Sequence, residues 1–160
     1  MNRVPLDTTA GANPPAIDHG PAVQALVDFF ENLQPHNLDD LARLYAADAR
    51  FKDPFNEVQG VPAIKAIFQH MFEQLEAPRF HVTERVWQGD RCFLVWDFRF
   101  ALRRWRPGTP QVIRGASLLV LAPDGRVQWH RDYWDAAEEL YEKLPIIGGM
   151  MRWLRQRAST

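Results

Sequence analysis

Three turn signals punctuate the second half of this chain: Gly89-Asp90, Pro107-Gly108 and Pro123-Asp124-Gly125. Each supplies the backbone freedom or the fixed φ that a tight turn needs, and the runs between them are rich in β-branched and aromatic residues. The spacing predicts strands near 79–88, 91–105, 111–122 and 126–134, joined one to the next as an antiparallel meander. The first half follows a different period. Val23, Leu26, Val27, Phe30 and Leu33 form one apolar stripe behind Pro21, a residue suited to a first helical turn. A second short helix is predicted after Asn37 as N-cap, with Leu38, Leu41, Leu44 and Tyr45 inward. A short strand at 49–53 stops at Pro54, which cannot donate to a sheet ladder. A third helix starts near Gly60-Val61-Pro62 and turns Ile64, Ile67, Phe68, Met71, Phe72 and Leu75 to the core. Helices first and a long meander afterwards predict an α+β fold, a cone-shaped half-barrel in which three N-terminal helices cover a strongly curved antiparallel sheet.

The domain so defined runs over 21–144. Residues 1–20, with Pro5, Gly11, Pro14 and Pro15, read as a mobile leader, and 145–160 as a basic amphipathic tail behind a further helix at 136–144. With 160 residues, 46% hydrophobic and 12% aromatic, one domain can bury a core and still line a pocket. A formal charge of -1 gives no general electrostatic reason to bind nucleic acid. Arg103-Arg104-Trp105-Arg106 mixes basic and aromatic residues but lies beside a hairpin turn and reads as a solvated tip. Cys92, the lone cysteine, rules out a disulfide within one chain, and its apolar run reads as a buried, inert thiol. Neither a membrane span nor a signal-peptide pattern is found, so a cytoplasmic location is the expectation. In the tail, Met150, Met151, Trp153 and Leu154 alternate with Arg152, Arg155 and Arg157. Such a tail can touch a membrane surface, but its shortness favours packing over the barrel mouth or against a second subunit of a homodimer.

The candidate chemistry concentrates on the last predicted strand. Gln128, His130, Asp132 and Trp134 share one side of it, and Val127, Trp129, Arg131 and Tyr133 the other. Neither side is plainly solvent-facing, which suggests that one face packs while the other lines an aromatic cavity holding Asp132. Asp132 can do acid-base work, or it can pair with Arg99 across the sheet. Asp53, between Phe51 and Phe55, can be partly desolvated as a general base needs, or can cap the turn after its strand. Arg99 shares a strand face with Asp97, opposite Trp96, Phe98 and Phe100. It can anchor a developing anion or pair with either aspartate. Trp134, Phe55 and Trp87 are expected pocket walls. His130 and Asp132 lack the further ligands that a metal would need, so no metal or other cofactor is expected.

Two segments carry a family resemblance. Leu44-Tyr45-Ala46-Ala47-Asp48-Ala49-Arg50-Phe51-Lys52-Asp53-Pro54, followed by Gly60 and a helix, and Gly125 to Asp135 resemble the nuclear-transport-factor-2-like superfamily. That superfamily includes ketosteroid isomerases, SnoaL-like polyketide cyclases and limonene epoxide hydrolase. The resemblance implies a cone fold and a cofactor-independent isomerase, cyclase or hydrolase acting on a small hydrophobic molecule, or a non-catalytic binding module of the same fold. It puts the isomerase general base on Asp53, while the isomerase oxyanion donors would fall on Phe29 or Phe30 and on Ala116 or Ser117. Similarity to limonene epoxide hydrolase puts a water-activating aspartate on Asp132 and its arginine on Arg99. The remaining carboxylate falls at Ala101, with Asp97 nearby, and the water-holding residues fall at Phe51 and Asp53. The expected site is therefore Asp53, Asp132 and Arg99, with Phe30, Phe51, Phe55, Trp87, Asp97, Ser117, His130 and Trp134 around the substrate.

Overall fold

The computed structural model describes residues 18–104 and 107–139. The expected leader lies almost wholly outside the described residues, as do the tail and the end of the last helix. Helix α1 spans Gly20–Glu31, with Pro21 in its first turn, and Val23, Leu26, Val27, Phe29 and Phe30 are buried. A 3-10 turn, Pro35–Asp40, leads directly into the one-turn helix α2, Leu41–Leu44. Asn37 is not the N-cap that its sequence neighbourhood suggests. It is the third residue of a capping box whose cap is Gln34, and its side-chain oxygen accepts the Gln34 amide at 2.9 Å. Helix α3, Val61–Gln74, buries Ile64 and Phe68 and half-buries Ile67, Met71 and Phe72.

Six strands form one open sheet: β1 (Tyr45–Lys52), β2 (Glu57–Gln59), β3 (Leu75–Gln88), β4 (Arg91–Leu102), β5 (Gln111–Leu121) and β6 (Val127–Tyr133), in the order β2-β1-β6-β5-β4-β3. The expected meander holds over β3 to β6. The sheet is nevertheless mixed, because β1 lies parallel to β6 while every other pair is antiparallel. β6 therefore sits in the middle of the sheet, fixed by a partner on either side. A short helix, α4, Ala136–Glu139, follows it.

Alternation separates the two faces. On β4, Cys92, Leu94, Trp96, Phe98 and Phe100 are buried, and on β5 Ile113, Ser117, Leu119 and Leu121 are buried with them. α1 and α3 pack against β3, and α3 against β1, so this inner face is the one the helices cover. Two irregularities bend β3, one at Ala77-Pro78, where Ala77 takes a positive φ of 48°, and one at Thr83. Bulges increase local twist and let a long strand wrap around the helices to make the cone. A third irregularity corrects the reading of β6. Leu121 pairs with Val127 but Val120 pairs with Trp129, so Gln128 is pushed out and exposed while Val127 joins His130 inside.

Among the described residues no helix is long and apolar enough to cross a membrane. Cys92 is buried, and burial pushes its thiol up to about 11, which keeps it protonated and unreactive.

Candidate active site

Between the inner face of the sheet and the helices lie two adjoining chambers. The inner one, about 20 Å³, is lined by Phe30, Phe68, Phe80, Val82, Leu94 and Trp96 together with Ser117, His130 and Asp132. A space of that size holds about one water molecule. The outer one, about 210 Å³, shares Phe68, Phe80, Trp96 and Asp132 with it and adds Phe51, Phe98, Ile113, Trp134, Asp53, Asn56 and His70 among its walls. A wide groove of about 600 Å³ in front of it is lined by Lys52 to Pro54 and by Arg131 to Asp135. Asp132 touches all three spaces.

Asp132 reaches this junction because β6 alternates and because Ser117 of β5 and Leu94 of β4 stand directly beside it on the same face. Its side chain is 17% exposed. Ser117 donates its hydroxyl to Asp132 Oδ1 at 2.5 Å, and His130 Nε2 lies 2.7 Å from the same oxygen. Oδ2 takes no hydrogen bond from the described residues. Behind these donors stand two more. Trp96 Nε1 donates to Ser117 Oγ at 2.9 Å, and the Tyr45 hydroxyl lies 2.6 Å from His130 Nδ1. Burial holds the Tyr45 phenol well above its usual value, and the negative charge of Asp132 pushes it further up. The phenol therefore keeps its proton. A carboxylate can only accept, so in a neutral imidazole the proton lies on Nε2 and Nδ1 accepts from Tyr45. The result is a buried chain from Tyr45 through His130 to Asp132, met from the other side by Trp96 and Ser117. No buried side-chain nitrogen or oxygen among the described residues lacks a partner.

Asp53 is placed very differently. It borders the outer chamber and the groove, but its Oδ1 accepts the backbone amides of Phe55 at 2.7 Å and Asn56 at 2.6 Å, and the Asn56 side chain donates to both oxygens. This is an aspartate capping the turn between β1 and β2, the alternative that its position before Pro54 left open. Phe55 is 55% exposed and meets the Trp134 ring edge to face at 5.5 Å, at the mouth rather than in the chamber wall.

Three expected site residues lie elsewhere. Arg99 does not reach Asp132. It stands on the outer face of β4 opposite Val112, 62% exposed, with Asp97 Oδ2 3.3 Å away. Asp97 shares that outer face and also faces Arg114, so it cannot replace the carboxylate that Ala101 lacks. Trp87 lies at the far end of β3, 46% exposed, and lines neither chamber. The physical reason is common to Asp97 and Arg99: neighbouring strands share one face, so residues that alternate with Trp96, Phe98 and Phe100 must point away from the residues that contact those rings. Phe30, Phe51, Ser117, His130 and Trp134 do meet at the chambers, as Asp132 does.

Tyr45 and Trp96 read from sequence as core residues, and their polar tips were not connected to the site. Gly115 carried the unused signal. A glycine inside a strand marks a close approach, and a Cβ built there would lie 2.5 Å from the Trp96 indole. Its missing side chain is what lets the indole lie flat enough to reach Ser117. The described residues hold no group of three or more histidine, cysteine or acidic side chains placed to bind a metal ion.

The fold has known relatives. A family model described as a SnoaL-like domain matches residues 26–130. No curated protein sequence matches the chain. Among solved structures, a protein of Jannaschia sp. CCS1 described as a SnoaL-like polyketide cyclase is 20% identical and aligns with a TM-score of 0.66, covering 80% of this chain and 94% of that one. An LEH-like epoxide hydrolase of M. tuberculosis is 15% identical, with a TM-score of 0.61 over 91% of this chain and 98% of that one. An NTF2-like protein of unknown function from Burkholderia pseudomallei is 18% identical, with a TM-score of 0.64 over 73% and 92%. At such identities the structures establish a shared fold, and the family match spans most of the 160 residues. The chain belongs to the SnoaL-like domain family and shares its fold with the NTF2-like structures.

Proposed function

We infer that this protein is a cofactor-independent acid-base enzyme acting on a small, largely apolar molecule, with Asp132 as the general base. The observation that carries the reading is the asymmetry of the Asp132 carboxylate. Oδ1 is held by Ser117 and His130, which fixes the group in one orientation, while Oδ2 takes no hydrogen bond from the described residues and the side chain borders both chambers. A base must be positioned before its strength matters. In this reading Asp132 Oδ2 takes a proton from a substrate carbon, as an isomerase or cyclase would, or from a water in the inner recess, as a hydrolase would. Tyr45 and His130 act behind the base as positioning residues. The aromatic walls exclude bulk water and strengthen each interaction made inside. Asp53 serves as the cap of the mouth turn.

The test is a panel of small cyclic enones in deuterated water, followed by NMR for proton exchange, and of small epoxides, followed for diol formation. One class is expected to turn over, and Asp132→Asn to lower its rate at least about 100-fold with an unchanged circular dichroism spectrum. Full turnover by Asp132→Asn overturns the assignment. A ligand carrier is the second reading. It is favoured by Asp53, whose two oxygens are both hydrogen-bonded, so that among the described residues Asp132 alone brings a carboxylate oxygen without a hydrogen bond to a mostly apolar chamber. Tight ligand binding without turnover across the panel would establish it.

A further inference from the structure

The outer chamber combines two features that an uncharged apolar ligand does not need together. Six aromatic rings border it: Phe51, Phe68, Phe80, Trp96, Phe98 and Trp134. Two carboxylates, Asp53 and Asp132, also face it, and among the described residues no lysine or arginine lines it. The hydrogen bonds to Asp53 come from amides and those to Asp132 from a hydroxyl and an imidazole, so no lysine or arginine among the described residues hydrogen-bonds to either carboxylate. The two cations at the groove have partners of their own, Lys52 in Glu57 and Arg131 in the Tyr133 ring, 4.8 Å away. Aromatic faces carry negative electrostatic potential, and an alkylated ammonium combines an apolar surface with a positive charge too diffuse to demand hydrogen bonds.

We propose that the chamber binds a small organic cation, an alkylammonium group whose methyls contact the rings and whose charge lies between Asp53 and Asp132. This deepens the acid-base reading and rests on the same chamber being the ligand site. A volume of about 210 Å³ suits a head group of this size and is below the usual range for larger ligands. The placement also gives the Asp132 carboxylate an electrostatic role in the ground state. A cation beside it brings carbon-bound protons next to the base.

Choline and its uncharged isostere 3,3-dimethylbutan-1-ol differ by nitrogen against carbon and separate charge from shape. Each is titrated into the full chain while the indole N–H signals of Trp96 and Trp134 are followed by NMR. Choline is expected to shift both signals and to bind at least about tenfold more tightly than the alcohol. Asp132→Asn should bring the two within about twofold of each other, and Trp134→Leu should weaken choline more than the alcohol. Should Asp132→Asn fail to fold, the Trp134→Leu comparison decides alone. Equal or tighter binding of the alcohol, or no response of the two indoles to choline, overturns the proposal. If the alcohol prevails while Asp132→Asn still abolishes turnover, the charge assignment falls and the acid-base reading stands. If choline prevails while Asp132→Asn keeps full turnover, the acid-base reading falls and the cation site stands.

Discussion

Two aspartates border the same chamber and the fold uses them in opposite ways. Asp53 sits at the end of β1, where the chain must turn, and its oxygens satisfy the amides of that turn. Asp132 sits in the middle strand of the sheet, where the backbone is already paired on both sides, so its side chain has no turn to stabilise. Its partners among the described residues are side chains instead, and they leave one oxygen without a hydrogen bond. A carboxylate at a strand end thus tends to serve the backbone, while one in a strand interior is held by packing and left free to serve a ligand.

This contrast can be broken at its supports. The largest effect is expected from Tyr45→Phe. It leaves His130 Nδ1 buried without a donor and should cost about 1–3 kcal/mol of stability, measured by urea unfolding, while turnover falls through the loosened Asp132. Its pH dependence sharpens the point. The buried phenol stays protonated in the fold above its ordinary value of 10.0, whereas the unfolded chain releases its proton there. Wild-type stability should therefore be intact below pH 10 and decline above it, and the phenylalanine variant should lose that part of the decline. Next comes Asp53→Ala, expected to cost about 1 kcal/mol by freeing the turn amides while turnover stays within about tenfold. A loss of turnover as deep as that of Asp132→Asn would show the two carboxylates acting as a pair. The smallest effect belongs to Arg99→Ala. An exposed ion pair on the outer face should change stability by no more than about 0.5 kcal/mol and leave turnover unchanged. A large loss of turnover would return Arg99 to the site.

The sequence made the periodic elements plain. The stripe of Val23, Leu26, Val27 and Phe30 marks α1, the three turn signals delimit β3 to β6, and alternation on β6 puts His130, Asp132 and Trp134 on one face. What depends on pairing between distant segments was not legible. β1 and β6 lie side by side in parallel with no connecting turn to announce it, and the bulge that expels Gln128 appears only against β5. The same holds for the site. Which letters share a strand face is local information, but Arg99 could be assigned to Asp132 because the letters do not say which face of β4 looks inward. Tyr45 was hidden for another reason. Its hydrophobic body fits a core pattern, and nothing local shows that its hydroxyl ends at a histidine 85 residues away.

Gly115 gives the chamber a property that its lining residues alone do not. A Cβ there would stand 2.5 Å and 2.7 Å from two indole carbons of Trp96 and 3.0 Å from the Cβ of Trp134. The position of the Trp96 indole, which walls both chambers, therefore depends on the absence of one methyl group at Gly115. Any side chain at that position forces the indole or the strand beneath it to shift. The shape of that wall is thus written partly into the backbone of β5 and not into its lining side chains alone.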